Sequence, residues 1–150
     1  VTRHENIPLK PNGEIKRVIL CTGKIYYSLA KQRAAKKIDD VAIIRLEQLF
    51  PFPHDALARR LQRYPNAHLV WAQEEPKNMG YWSFVAPRIA TTERATRVRA
   101  SVDEENRRVR FVGRPPSAAP ATGSLAIHNA ENARLIAQAL NARDDDGAIA

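Results

Sequence analysis

One cysteine, Cys21, stands among the 150 residues. A lone cysteine excludes an internal disulfide and any cysteine-rich zinc site. It closes the run Val18-Ile19-Leu20-Cys21, which marks a buried, inert thiol and fits a reducing compartment. No apolar run approaches the roughly twenty residues a bilayer-spanning helix needs. The first residues, Val-Thr-Arg-His-Glu-Asn, hold no initiator Met, no apolar signal core and no transit pattern, so the chain reads as a piece of a longer protein. Acidic residues are outnumbered 16 to 24 by Lys and Arg, a net charge of +8. That sign attracts nucleic acid, anionic ligands or an acidic partner. Aromatics, however, make up only 7% of the chain and do not interleave with the scattered arginines. With no nucleic-acid motif and no membrane segment, neither nucleic acid nor membrane is expected as a partner.

What is present is ordinary globular composition, 44% hydrophobic and 27% charged, enough for one domain with a real core. Residues 1–16, with Pro8, Pro11, Asn12 and Gly13, read as an arm or linker. Arg17 to Gly23 is a short apolar run stopped by glycine, a buried strand feeding a helix over 24–38. On that helix Lys31, Arg33, Lys36 and Lys37 are expected on the outer face or near the C-terminus. Val41 to Leu46 is a second buried strand, ended by Pro51 and Pro53. A helix over 54–64 and a strand over 67–73 follow. Another helix is expected from Tyr81 to about Arg88.

The pattern then changes. Alternation at Val98, Ala100 and Val102, and again at Val109 and Phe111, predicts an antiparallel hairpin. A last helix runs from about Ile127 to Asn141, with Leu135, Ile136, Ala139 and Leu140 inward. The domain is therefore read as 17–141, with 142–150 an acidic tail. Strands alternating with helices imply α/β architecture: three layers, a mostly parallel sheet plus the hairpin, and helices on both faces.

Catalytic signals are weak. His4 lies in the arm, His54 at a helix start where a cap is expected, and His68 in a strand; no two histidines have metal-ligand spacing. There is no Gly-x-Ser-x-Gly elbow. Thr22-Gly23-Lys24 lacks the upstream glycine of a phosphate loop and reads as a strand-to-helix turn. His128, on the face of Leu135 and Ile136, reads as a satisfied buried histidine. Glu74 and Glu75 are adjacent, so in a strand they point to opposite faces and do not form a carboxylate pair. Arg97, Arg99, Arg108 and Arg110 form a stripe on the hairpin able to grip a phosphate or carboxylate, though solvated surface is the plainer reading.

Three longer motifs carry more information. They are Arg45-Leu46-Glu47-Gln48-Leu49-Phe50-Pro51-Phe52-Pro53, then Trp71 to Trp82 with its Glu74-Glu75-Pro76-Lys77-Asn78-Met79-Gly80 core. The third is Gly113-Arg114-Pro115-Pro116-Ser117 through Gly123, with His128 a little further on. In this order they resemble the 2-oxoglutarate dehydrogenase family, specifically the transketolase-like C-terminal domain of its decarboxylating component, over about residues 15–141.

The resemblance implies a five-stranded mixed sheet. It also implies a homodimeric parent that uses thiamine diphosphate and Mg to decarboxylate 2-oxoglutarate in the tricarboxylic acid cycle. Such a parent works with dihydrolipoyl succinyltransferase and dihydrolipoyl dehydrogenase, in the mitochondrial matrix or, alternatively, a bacterial cytoplasm. The family's Gly-Asp-Gly cofactor stretch is absent here, so this piece is expected to bind no cofactor or metal and to hold no catalytic residue. Its role is then dimer assembly and active-site support, with Glu74, Glu75, Asn78, Gly80, Arg114, Ser117 and His128 as candidates. The alternatives are a regulatory module that binds an acyl-CoA or nucleotide through the four arginines, or the equivalent domain of a 2-oxoadipate dehydrogenase.

Overall fold

The computed structural model describes residues 7–96, 108–118 and 123–141. Four strands, all parallel, form one sheet among them: β1 (Arg17–Cys21), β2 (Val41–Arg45), β3 (His68–Pro76) and β4 (Arg110–Arg114), in the order β2-β1-β3-β4. The helices are α1 (Ile25–Ala35), α2 (His54–Leu61), α3 (Trp82–Thr96) and α4 (Leu125–Leu140). Strand residues alternate between two cores, as a sheet covered on both faces requires. Val18, Leu20, Ile44, Leu69 and Trp71 pack under Leu57, Leu61, Val85 and Ile89 of α2 and α3. Ile19, Cys21, Ile43, Val70 and Val112 pack under Leu29 of α1 and Leu135, Ala139 and Leu140 of α4. The three-layer α/β architecture expected from sequence is thus observed.

Only the second arm of the expected hairpin lies within the described residues. Its second arm is β4, and β4 runs parallel to β3, pairing Trp71 with Phe111 and Ala72 with Val112. The first arm, with Arg97 and Arg99, lies outside the described residues, as does the fifth strand it would supply.

Several boundaries also move. Helix α1 stops at Ala35 because Lys37 adopts φ 53°, a left-handed stop. Arg33, expected outside, is buried: it lies four residues after Leu29 on the same face, and its Nη1 donates to Val41 O at 3.0 Å. Helix α3 runs well past Arg88, with Pro87 inside it. His54 is no cap; its Nδ1 sits 2.7 Å from Thr92 Oγ1 and ties α2 to α3.

Strand β3 continues through Glu74 and Glu75 to Pro76, beyond its expected end. From Ala72 to Pro76 it advances four residues while β4 advances two, from Val112 to Arg114, so β3 bulges there. Gly113 faces the bulge, where a Cβ would lie 2.5 Å from Phe111 Cζ and 3.0 Å from Gln73 O. Gly113→Ala should therefore cost about 1–3 kcal/mol through overpacking. Urea unfolding checks this; a change under about 0.5 kcal/mol would show that the bulge yields freely.

Candidate functional site

Connections leave β1 and β3 toward opposite faces of the sheet, α1 to one and α3 to the other. In such open sheets the crevice at this switch point, outside the strands' C-terminal ends, is the usual ligand or partner site. Here it is formed by the turn after β1, the bulged end of β3, the end of β4 and the start of α4. Gly23 turns the chain with φ 73°, and Lys24 Nζ reaches to 3.9 Å from Glu74 Oε2.

Gln73 organises the β3 end. It is 3% exposed. Its Oε1 accepts from Trp71 Nε1 at 2.9 Å and from the Trp82 backbone N–H at 3.1 Å. Its Nε2 donates to the carbonyls of Met79 at 2.8 Å, Pro76 at 3.1 Å and Glu75 at 3.3 Å, so two hydrogens serve three acceptors. The loop 75–82 is thereby wound around one side chain. Gly80 closes it with φ 64°, and a Cβ there would lie 3.0 Å from Gln73 Nε2.

A second clasp joins this loop to the segment after β4. Asn78 Nδ2 donates to Ser117 O at 2.9 Å, and Ser117 N–H donates back to Asn78 Oδ1 at 3.0 Å. The side-chain amide thus imitates a strand partner. Lys77 N–H adds a bond to Arg114 O at 3.0 Å. Behind the clasp, Arg114 Nε meets Glu131 Oε2 at 2.9 Å and locks β4 to α4. Glu74, Arg114, His128, Glu131 and Asn132 line a recess of about 10 Å³, room for about one water.

The structure therefore places the candidate residues in two groups. Glu74, Arg114 and His128 share the recess. Gly80 and Asn78 lie on the loop wound around Gln73, which Asn78 clasps to Ser117. Glu75 stands apart, exposed, while Glu74 is half-buried, as opposite faces of a strand require. His128 is half-buried at the rim rather than inward, because Leu135 already fills the core side of α4. Of the stripe of arginines, Arg108 is exposed and Arg110 half-buried at the start of β4.

Gln73, Glu131 and Asn132 were missed. Gln73 had a readable signal, a polar residue directly following the apolar run Leu69-Val70-Trp71-Ala72. Glu131 had none, since its partner Arg114 is brought to it only by the fold.

Cys21 lies under α1, and burial pushes its thiol from its ordinary 9.0 up to about 12, opposed weakly by the Arg45 charge. A raised folded-state value contributes stability that is complete below about pH 9 and lost as pH rises toward 12. The thiol should resist thiol-specific reagents at pH 8 and react only on unfolding. Labelling followed by mass spectrometry checks this, and rapid native labelling would contradict it.

Among the described residues no three His, Cys, Asp or Glu side chains converge to hold a metal; beside the recess, Lys77, Phe111, Arg114, Glu131, Arg134 and Leu135 line a larger cavity of about 390 Å³. Fold and site together define an open parallel α/β domain with a braced strand-end surface.

Residues 2–140 match the family described as 2-oxoglutarate dehydrogenase C-terminal, and the chain belongs to that family. It is similar to the 2-oxoglutarate dehydrogenase E1 components of Brucella anthropi and Brucella ovis, each 46% identical over 138 residues. The E1 component of Brucella abortus is 45% identical over the same length. These matches cover 92% of this chain and 13% of each relative.

Proposed function

We propose that this chain acts as the C-terminal domain of a 2-oxoglutarate dehydrogenase E1 component. The observation that carries the reading is 46% identity over 138 residues to proteins bearing that name. In the parent, thiamine diphosphate and Mg supply the chemistry that decarboxylates 2-oxoglutarate, and the succinyl group passes to the lipoyl arm of dihydrolipoyl succinyltransferase. Dihydrolipoyl dehydrogenase is the other partner component of such a complex. The contribution of this domain is dimer assembly and active-site support. The two clasps favour that role, because they hold backbone in place. The bacterial relatives favour a bacterial cytoplasm over a mitochondrial matrix.

The test compares three proteins with 2-oxoglutarate, thiamine diphosphate, Mg and an artificial electron acceptor. They are the full-length parent, the parent lacking this domain, and this chain alone. Turnover is expected only from the first. Turnover by this chain alone, or full activity without it, would overturn the reading.

A further inference from the structure

We propose that the C-terminal end of the sheet is the face by which this domain packs against the preceding domains of the parent polypeptide, an inference that rests on the reading above. Among the described residues the exposed large hydrophobic side chains are Tyr27, Phe50, Tyr81, Leu125 and Ile127. All five stand at one pole. Tyr27 follows β1, Phe50 follows β2, Tyr81 follows β3, and Leu125 and Ile127 open the helix after β4. Phe50 is 85% and Leu125 75% exposed. Four adjacent strand ends span only about 15 Å, so these side chains crown one surface. Scattered single apolar residues need no explanation, but a set confined to one pole marks an interface.

The opposite pole carries none of the five. It is where the chain begins its path through the domain. Lys10 N–H donates to Asp39 O, Lys16 N–H to Asp40 O, and Asn66 Nδ2 to Gly13 O. Residues 10–16 are thus fastened beside the starts of β2 and β3, away from the apolar crown, and do not cover it.

Two observations select the occupant. The matched region is 13% of each relative's length and is described as C-terminal, so a parent of that kind has most of its polypeptide outside this domain. A second copy of this domain is disfavoured by charge, since each copy brings +8. The crown is also prepared for a fixed partner. Gln73 and the Asn78–Ser117 clasp hold the loop bearing Tyr81 before any partner arrives, and ordering a loop in advance removes that cost from association.

The test is made in the full-length parent. Phe50→Cys, Leu125→Cys and, as a control at the other pole, Gln62→Cys are labelled under native conditions and read peptide by peptide. Phe50→Cys and Leu125→Cys should label at least about tenfold more slowly than Gln62→Cys, and all three equally after unfolding. Equal native rates would overturn the proposal. Sedimentation of this chain alone supplies the second readout. A monomer, or a dimer that Phe50→Asp leaves intact, is expected; a dimer that Phe50→Asp dissociates would assign the crown to a second copy and also overturn it. Loss of the functional reading registers separately, as an assembled parent with a protected crown but no turnover of 2-oxoglutarate.

Discussion

Replacing Gln73 by Leu should lower the stability of the domain by about 3 kcal/mol, a fall in Tm of about 10 °C. Leucine fills nearly the same volume, so the loss is of polar partners and not of packing. The Trp71 indole N–H, on a fully buried side chain, loses its acceptor, and so does the Trp82 N–H at the start of α3. Three carbonyls of the loop lose their shared donor. A buried group left unsatisfied costs about 1–3 kcal/mol, and several are left at once, offset by loop relaxation into water. Gln73→Glu separates the two halves of the hub. An ionised carboxylate still accepts from Trp71 and Trp82 but faces the three carbonyls without a hydrogen to give. It should be at least as damaging as Leu at neutral pH. Thermal unfolding measures both, and limited proteolysis between Pro76 and Tyr81 should accelerate with them. If both variants melt within about 2 °C of the parent, Gln73 does not organise the loop.

How much of this was readable in the sequence depended on the range of the interactions. The apolar runs at Val18–Cys21, Val41–Ile44 and Leu69–Ala72 identified three strands because burial on both faces leaves a continuous hydrophobic signature. The sequence pattern ends α3 near Arg88, because Pro87, Thr91 and Thr92 lower the local helical signal. In the fold, Pro87 lies early in the helix, and the Thr91 and Thr92 hydroxyls donate to Pro87 O and Arg88 O at 2.9 Å. Packing of Val85 and Ile89 outweighs the weak propensity.

The sequence pattern ends the third strand at Gln73, because Glu-Glu-Pro is polar and breaks a ladder. The bulge opposite Gly113 carries the strand through it. The candidate site was half legible for the same reason. Strand-end residues such as Glu74 and Arg114 can be nominated from position. Their joining with Glu131 and His128 depends on α4 returning across the sheet, which no local pattern encodes.

Arg17→Ala should cost about 3 kcal/mol, nearly as much as the loss of Gln73, although Arg17 lies at the opposite end of the sheet. Arg17 opens β1 and is 3% exposed. Its Nη1 donates to Gln138 O at 2.8 Å and Ala139 O at 2.9 Å, two carbonyls at the C-terminus of α4. Helix ends leave such carbonyls without intrahelical partners, and the helix dipole places partial negative charge there. A buried guanidinium satisfies both demands and pins the last helix to the first strand across 121 residues of sequence. Alanine removes the donor and the charge and leaves a cavity. Arg17→Lys keeps the charge but replaces the planar fork with a single ammonium, so it should recover only part of the loss. Urea unfolding of the three proteins orders them Arg, Lys, Ala. The local consequence is more specific: amide exchange in the last turn of α4 should rise in Arg17→Ala before exchange in β1 does, since the helix end loses its cap while the strand keeps both neighbours. Equal stability of all three proteins would mean that water caps α4 as well as Arg17 does.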